Sequence, residues 1–496
     1  MNPDLFWYLR RTKLDHLLFL IGNAIRGMFD RNEPVMSVPV VRVDGLYPRA
    51  GNVTVTAWNL SDLAYLAIQE SSDFQAIEPS VHDLVALCNL FLAWDEQRSR
   101  EEFAELSNDE FLIKFAVGFS QKQFWYQEIH RLRHEFNRQV ELLEVIPAEI
   151  GSSAILNEAC VAATGFDVRT FRTILFGVYA VAGTQTDIAR ITSDDGGANK
   201  LHPALTAKNV HIVANLYASD YTEVRKSPLA ENHFYVKPVI QTSSNRLYAL
   251  NTYFFAKKVA DGPFWAIREH YRVAGSQAFV SAFGGYFEYY VEKLLRHCLH
   301  QDRFARVQKP RRGTYADWFL YTSKYRIIVE LKSSLAALMI RRLYPDIQAI
   351  RNYLDKFQEG ILQLDSTEQA YPDPSRTMIK LLVHYETLYT SDGVLRPMVV
   401  ERVAGQLKNT NNLYFCDIGE FEWLVCIAGA SESAAENVLS AKIAAELQPG
   451  TGREFAQVIP RITELANTYV MKHIDHWENY IPGLKHAARR TGQVYS

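Results

Sequence analysis

Two carboxylates and a lysine of this chain, Asp317, Glu330 and Lys332, lie close together in the sequence. Glu330 and Lys332 are separated by one residue, so in a β-strand their side chains project from the same face. Two carboxylates can hold a divalent cation, and an ammonium group beside them can position or deprotonate a water molecule. These residue types therefore predict a metal-assisted hydrolytic centre.

The segments around these residues predict a β-hairpin. Trp318–Thr322 and Arg326–Lys332 are rich in aromatic and β-branched residues, and the short turn Ser323-Lys324 separates them. In the second strand Val329 and Leu331 alternate with the charged pair and point to an apolar layer. A charged pair at the end of an apolar strand is costly to bury unless a metal or a partner compensates it.

The elements on either side of the hairpin predict a sheet domain. Phe283–Leu299 is an amphipathic helix that carries Glu288 beside its apolar face. After the hairpin, Pro345–Leu364 has helical periodicity, and Met378–Tyr385 and Phe421–Ala428 are predicted as apolar strands. The order helix, hairpin, helix, strand, strand indicates a compact α/β domain behind a helical N-terminal half.

Asp317 followed by Glu330-Leu331-Lys332 resembles the signature of the PD-(D/E)xK, or restriction-endonuclease-like, nuclease superfamily. The resemblance covers roughly residues 275–430. It implies that Asp317, Glu330 and the Leu331 carbonyl bind Mg²⁺ or Mn²⁺, and that Glu288 binds the metal directly or through water. It also implies that Lys332 positions the attacking water and stabilises charge on the scissile phosphate.

The chain departs from the superfamily pattern in two respects. The residue before Asp317 is Ala316 instead of proline, a position that varies in the superfamily. Some subfamilies add a glutamine on the following helix, with a tyrosine further along. The residues of the 345–364 helix that could take these places fit the spacing only loosely: Gln348, Tyr353, Gln358 and Gln363.

Basic residues directly before the hairpin are suited to contact phosphates. Lys309, Arg311 and Arg312 could bind a nucleic-acid backbone without regard to its sequence. A solvated loop is the alternative for these three residues. The alternative for Glu330 and Lys332 is an ordinary surface hairpin in which the two side chains form salt bridges.

Length and composition indicate the domain organisation. With 496 residues, 48% of them hydrophobic, the chain is expected to form two or three domains. We predict a mainly helical sensor or oligomerisation region at 1–232 and a restriction-endonuclease-like domain with a preceding hairpin at 233–430. A helical C-terminal segment is predicted at 431–496. The expected fold class is α/β, with a central mixed sheet in the core.

Charge and cysteine content exclude some protein classes. The net charge of -3 gives no overall basic signature, although an enzyme needs only a local basic groove. The 5 cysteines are widely spaced without C-x-x-C pairs, which supports neither a disulfide framework nor a zinc ribbon. The N-terminal apolar run is too short for a signal peptide or a membrane span. A soluble cytoplasmic protein is expected.

The sequence therefore predicts a divalent-metal-dependent endonuclease, a phosphodiesterase acting on DNA. Its layout resembles that of prokaryotic defence nucleases, in which an effector domain is fused to a partner region. A homo-oligomer or a partner protein could form through the N-terminal helical region. Two alternatives remain open: a catalytically inactive, nuclease-like nucleic-acid-binding protein, and an oligomeric regulatory scaffold.

Overall fold

The computed structural model of the chain describes most of its residues. The described ranges are 3–40, 51–71, 77–104, 106–107, 110–111, 132–183, 186–188, 202–227, 233–309, 313–335, 340, 346–388, 391–446, 454–459, 469–472 and 474–480. Arg311 and Arg312 lie outside them, so their predicted phosphate contacts concern residues that the structure does not describe.

The N-terminal region is mainly helical, as predicted. Its α-helices are α1 Pro3–Leu9, α2 Leu14–Asp30, α3 Ala57–Glu70, α4 Val81–Ala104, α5 Leu132–Val140, α6 Ile146–Glu149, α7 Ser153–Thr164, α8 Val168–Ala182, α9 Ala207–Leu216 and α10 Tyr221–Lys226. A π-helical turn, Glu141–Val145, joins α5 to α6. This region also contains an antiparallel hairpin that the sequence did not predict, formed by β1 Val35–Pro39 and β2 Asn52–Thr56.

A small three-stranded sheet follows. It consists of β3 Ala218–Asp220, β4 Val239–Gln241 and β5 Leu247–Ala249, with β4 and β5 antiparallel as predicted. The sequence Phe234–Gln241 predicts the first strand of the hairpin that precedes the nuclease-like domain. The start of this prediction is wrong, because His233–Tyr235 is a 3₁₀ turn and the strand begins only after Pro238. Proline cannot donate a ladder hydrogen bond, which explains the late start.

The C-terminal half is built on a five-stranded mixed sheet. Its helices and strands are α11 Thr252–Val273, α12 Ala278–Cys298, β6 Phe304–Arg306, β7 Trp318–Tyr321, β8 Tyr325–Lys332, α13 Ile347–Ala370, β9 Thr377–His384, α14 Arg396–Val403, β10 Leu413–Asp417, α15 Ile418–Ala430 and α16 Glu432–Glu446. The strand order is β10-β9-β8-β7-β6. β6, β7 and β8 pair antiparallel, whereas β8, β9 and β10 are parallel.

Helices cover both faces of this sheet. Val329 and Trp318 belong to a core that also contains α12 and α15 residues, whereas Ile328 and Phe319 pack with α13 and α14. Because neighbouring side chains of a strand alternate between faces, Glu330 shares the α13 side with Ile328. The expected α/β architecture with a central mixed sheet is confirmed.

The prediction of a strand at Phe421–Ala428 is wrong, because these residues lie within α15. The strand comes just before them, as β10, and Asp417 begins the helix with a capping box. The Asp417 carboxylate accepts the Glu420 N–H at 2.8 Å, and Glu420 accepts the Asp417 N–H at 3.0 Å. The segment is apolar nearly all round, so periodicity could not distinguish a buried helix from a buried strand.

After α16 the C-terminal segment contains short helices, although the sequence Phe455–Tyr480 predicts one long helix. They are α17 Phe455–Val458, α18 Tyr469–Lys472 and α19 Trp477–Tyr480, and residues 460–468 lie outside the described part. Among the described residues, no helix has the length and apolar character needed to cross a bilayer. The boundaries at 232 and 430 stay predictions.

Buried charges join the helical region to the sheet domain. Arg138 of α5 donates to both oxygens of Glu422 of α15, at 2.7 and 2.9 Å. The Tyr290 hydroxyl of α12 donates to the same carboxylate at 2.6 Å. Both charged side chains are almost completely buried, 7% and 1% exposed. The two regions therefore share a polar contact in which each group depends on the others.

Candidate active site

The hairpin places Asp317 opposite Glu330. Asp317 directly precedes β7, its N–H donates to the Val329 carbonyl at 3.0 Å, and its own carbonyl accepts the Val307 N–H at 3.0 Å. The β7–β8 register, with Trp318 opposite Val329, sets the two acids across from each other. Antiparallel partners hold their side chains on the same face of a sheet, so both carboxylates lie on the α13 side.

The alanine before Asp317 has a structural reason. Ala316 is fully buried, and its N–H donates to the Thr367 hydroxyl of α13 at 2.8 Å. Proline has no N–H and would lose this bond. The bond anchors the start of β7 to α13, so the departure from the superfamily pattern is compatible with a fixed position for Asp317.

Glu330 is a buried carboxylate with an unsatisfied oxygen. Its residue is 3% exposed, and its Oε1 lies 2.8 Å from the Lys332 ammonium. Its Oε2 is buried and has no hydrogen-bond partner among the described residues. Burial, followed by the negative charge of Asp317, raises the pKa of Glu330 to about 8, against the lowering effects of Lys332 and Lys309.

Lys332 is held between the strand and α13. Its ammonium donates to the Gln363 amide oxygen at 2.8 Å as well as contacting Glu330. Gly360 allows this close approach, because a Cβ there would lie 2.8 Å from Lys332 Cε and 2.7 Å from Leu382 Cδ1. Gln363 is the glutamine of the 345–364 helix that reaches the site, although its sequence spacing gave only a loose fit.

Lys309 contacts the acid pair directly. Its ammonium lies 2.9 Å from Asp317 Oδ1, and the other oxygen, Oδ2, accepts the Leu331 N–H at 3.0 Å. Partial burial lowers the pKa of Lys309, but the charges of Asp317, Glu330 and Glu288 together outweigh it, so the pKa is raised. Lys309, which was predicted to bind a phosphate, therefore forms an ion pair with Asp317, a predicted metal ligand.

Glu288 has a different neighbour. It pairs with Arg306 of β6, which also pairs with Glu292 at 2.8 Å and stacks over the Trp318 ring at 4.7 Å. These contacts belong to the β6 edge and to α12, which packs on the sheet face opposite α13. The structure therefore brings Asp317, Glu330 and Lys332 together and holds Glu288 in a separate ion-pair group.

The donor set fits a divalent cation bound through few protein ligands. Among the described residues, no three His, Cys, Asp or Glu side chains are grouped closely enough to hold a metal ion. The candidate ligands are therefore the carboxylates of Asp317 and Glu330, including the unsatisfied Glu330 Oε2, and the adjoining Leu331 carbonyl. Two carboxylates with water and substrate oxygens are a typical Mg²⁺ environment.

Metal binding at this pair is expected to strengthen with pH. Glu330 is protonated below its pKa of about 8 and must lose that proton to bind a cation. The Mn²⁺ affinity should therefore rise by up to about tenfold per pH unit from pH 6 to 8 and level off above. Isothermal titration of Mn²⁺ measures this profile, which should be absent in Glu330→Gln. A flat profile in the unchanged chain would contradict the expectation.

Comparison with protein-family models, with curated proteins and with solved structures gave no match to this chain.

Proposed function

We propose that the chain is a divalent-metal-dependent nuclease that hydrolyses DNA phosphodiester bonds. The observation that carries the proposal is the acid pair Asp317 and Glu330, in which Glu330 is buried with one unsatisfied carboxylate oxygen and has the Lys332 ammonium 2.8 Å from its other oxygen. An ordinary surface hairpin would leave these charges in water. Burial of a carboxylate with one oxygen left unsatisfied is costly, and such groups cluster at functional sites.

The arrangement of elements supports a restriction-endonuclease-like core as part of the proposal. Helix α12 precedes the β7–β8 hairpin, α13 crosses over, and β9 returns parallel to β8. This is the order of elements that the superfamily resemblance implies. Its combination with a helical N-terminal region supports a role as an effector against foreign DNA.

In the proposed mechanism, Asp317, Glu330 and the Leu331 carbonyl would hold Mg²⁺ or Mn²⁺, which supplies Lewis-acid activation of a water and offsets charge on the phosphate. Lys332 would position that water and stabilise the developing phosphoryl charge. Gln363 fixes the Lys332 ammonium by accepting its hydrogen bond. Burial by α13 keeps Glu330 in a low-dielectric environment, where these charges interact strongly.

The direct test is plasmid cleavage. Supercoiled DNA incubated with the chain and Mg²⁺ or Mn²⁺ should become nicked or linear, and EDTA should abolish the reaction because the carboxylates alone cannot activate water. Asp317→Asn should abolish it too, since the amide is a poorer metal ligand. The matched control is Asp302→Asn, an exposed aspartate paired with His300. Cleavage that continued in EDTA, or in Asp317→Asn, would contradict the proposal.

A second candidate function is DNA binding without catalysis. The ion pair between Lys309 and Asp317 favours it, because both Asp317 oxygens already have partners. On this hypothesis DNA binding persists in EDTA, and Asp317→Asn changes neither Mn²⁺ binding nor DNA affinity. The same plasmid and titration experiments therefore separate the two functions.

A further inference from the structure

Two cysteine side chains from different helices are in contact on the side of the sheet opposite α13. Cys298 is the last residue of α12, and Cys426 lies on α15, 128 positions further along the chain. Their Sγ atoms are 3.9 Å apart, and both residues are half-buried. No sequence motif marks this pair, because only the packing of α12 against α15 brings the two thiols together.

The backbones that carry the two thiols are held at close range. A Cβ atom on Gly429, one turn after Cys426, would overlap the Cys298 carbonyl oxygen, so the missing side chain lets α15 reach the end of α12. Arg303 adds a second link, because its Nη1 donates to the Ala428 carbonyl at 2.9 Å. The Sγ atoms need to approach by about 2 Å to reach an S–S bond length of about 2.05 Å, a distance that side-chain rotation covers.

The hydrogen bonds around the pair distinguish the two sulfurs. The Tyr469 N–H donates to Cys426 Sγ at 3.0 Å, and such a bond stabilises negative charge on the accepting sulfur. The hydrogen bond with Cys426, followed by burial, raises the pKa of Cys298, so Cys298 keeps its proton. Since the thiolate is the reactive form of cysteine, Cys426 is the better placed of the two to attack an oxidant.

The surroundings of the pair favour oxidation over metal binding. Within the part of the chain that the structure describes, no third His, Cys, Asp or Glu joins the two thiols in a group that could hold a metal ion. The other three cysteines, Cys88, Cys160 and Cys416, are buried. Burial raises the pKa of Cys88 to about 12 and that of Cys160 to about 11. An oxidant in solution therefore reaches the half-buried pair more readily than the other thiols.

We propose that Cys298 and Cys426 are a redox-active dithiol that hydrogen peroxide converts to a disulfide. The Cys426 thiolate attacks one peroxide oxygen and becomes a sulfenic acid, and the departing hydroxide takes up the proton that Cys426 had lost. Cys298 Sγ then attacks the sulfenic sulfur, its proton leaves with the sulfenic hydroxyl as water, and the S–S bond forms. The two thiols lose two electrons in total, and the peroxide is reduced to two molecules of water.

The disulfide would close a covalent loop that contains the acid site. The residues between Cys298 and Cys426 include β6 to β10, with Asp317 and Glu330 among them. A cross-link between the ends of this segment restricts the unfolded chain, so the oxidised form should unfold at a higher urea concentration than the reduced form. The inference is independent of the nuclease proposal, because neither sulfur contacts the acid pair.

The test is oxidation of the full chain by a small molar excess of hydrogen peroxide. After the remaining thiols are blocked with iodoacetamide, mass spectrometry of the non-reduced tryptic peptides should find residues 297–303 linked to residues 409–442. Thiol titration of the unfolded protein should show the loss of two of the 5 thiols. Dithiothreitol should restore both thiols and lower the urea midpoint again.

Matched cysteine variants identify the sulfurs. Peptide 409–442 also contains Cys416, so the linked peptide should persist in Cys416→Ser and disappear in Cys426→Ser. In Cys298→Ser the sulfenic acid at Cys426 has no resolving thiol, and dimedone should trap it there. A chain that kept all its thiols under peroxide would overturn the inference. So would a link that survived in Cys426→Ser, or dimedone labelling that missed Cys426 in Cys298→Ser.

Discussion

Lys332→Ala is expected to reduce the rate of plasmid cleavage by about 10²–10³-fold, a loss of about 2.7–4 kcal/mol of transition-state stabilisation. Lys332 is the ammonium closest to the acid pair, 2.8 Å from Glu330 Oε1, and Gln363 fixes its position. Single-turnover cleavage of a supercoiled plasmid with Mg²⁺ measures this loss.

Two further variants separate chemistry from structure. Lys408→Ala removes an exposed lysine before β10, outside the acid site, and should cut at the unchanged rate. Gln363→Ala should slow cleavage less than Lys332→Ala, because it frees the ammonium without removing it. Thermal unfolding of Lys332→Ala close to that of the unchanged chain would exclude a folding defect. Full activity in Lys332→Ala would remove the basis for the nuclease assignment.

Arg138→Ala is expected to destabilise the fold by about 3–5 kcal/mol, because it leaves the Glu422 carboxylate buried without its cation. Glu422 is 1% exposed, and the hydrogen bond from Tyr290 cannot neutralise its charge. Urea unfolding monitored by far-ultraviolet circular dichroism measures the effect as a lower midpoint.

The control for this prediction is an exposed ion pair on α4. Arg100 pairs with Glu96, but both side chains are largely solvated, 78% and 66% exposed. Arg100→Ala should therefore change stability by less than about 0.5 kcal/mol. The double variant Arg138→Met with Glu422→Met should recover much of the loss, since no charge remains buried. Equal losses of stability in Arg138→Ala and Arg100→Ala would show that the buried pair contributes no more to stability than the exposed pair.

The elements around the site could be predicted because local signals and tertiary structure agree there. The β7–β8 hairpin has alternating apolar residues and a short turn, and α12, α13 and β9 have clear periodicity. The error at Phe421–Ala428 arose where periodicity carries no information, in a helix buried on most sides. The Asp417 capping box was the signal that could have corrected it.

The site itself was only partly predictable. Alternation in one strand sufficed to put Glu330 and Lys332 on the same face, and the hairpin register brought Asp317 across from them. The partners of Glu288 and Lys309 depend on long-range packing, which no spacing rule encodes. Arg306, for instance, draws Glu288 to the β6 edge because it also engages Glu292 and the Trp318 ring.

The ion pair between Lys309 and Asp317 gives the acid site a resident countercharge. A metal that bound Asp317 would replace the Lys309 ammonium. The net electrostatic gain would therefore be only the difference between the metal–carboxylate and the lysine–carboxylate interactions. The chain can accordingly assemble its hairpin without waiting for a metal. The Lys309 ammonium released in this way would then be free to pair with the negative charge of a substrate phosphate.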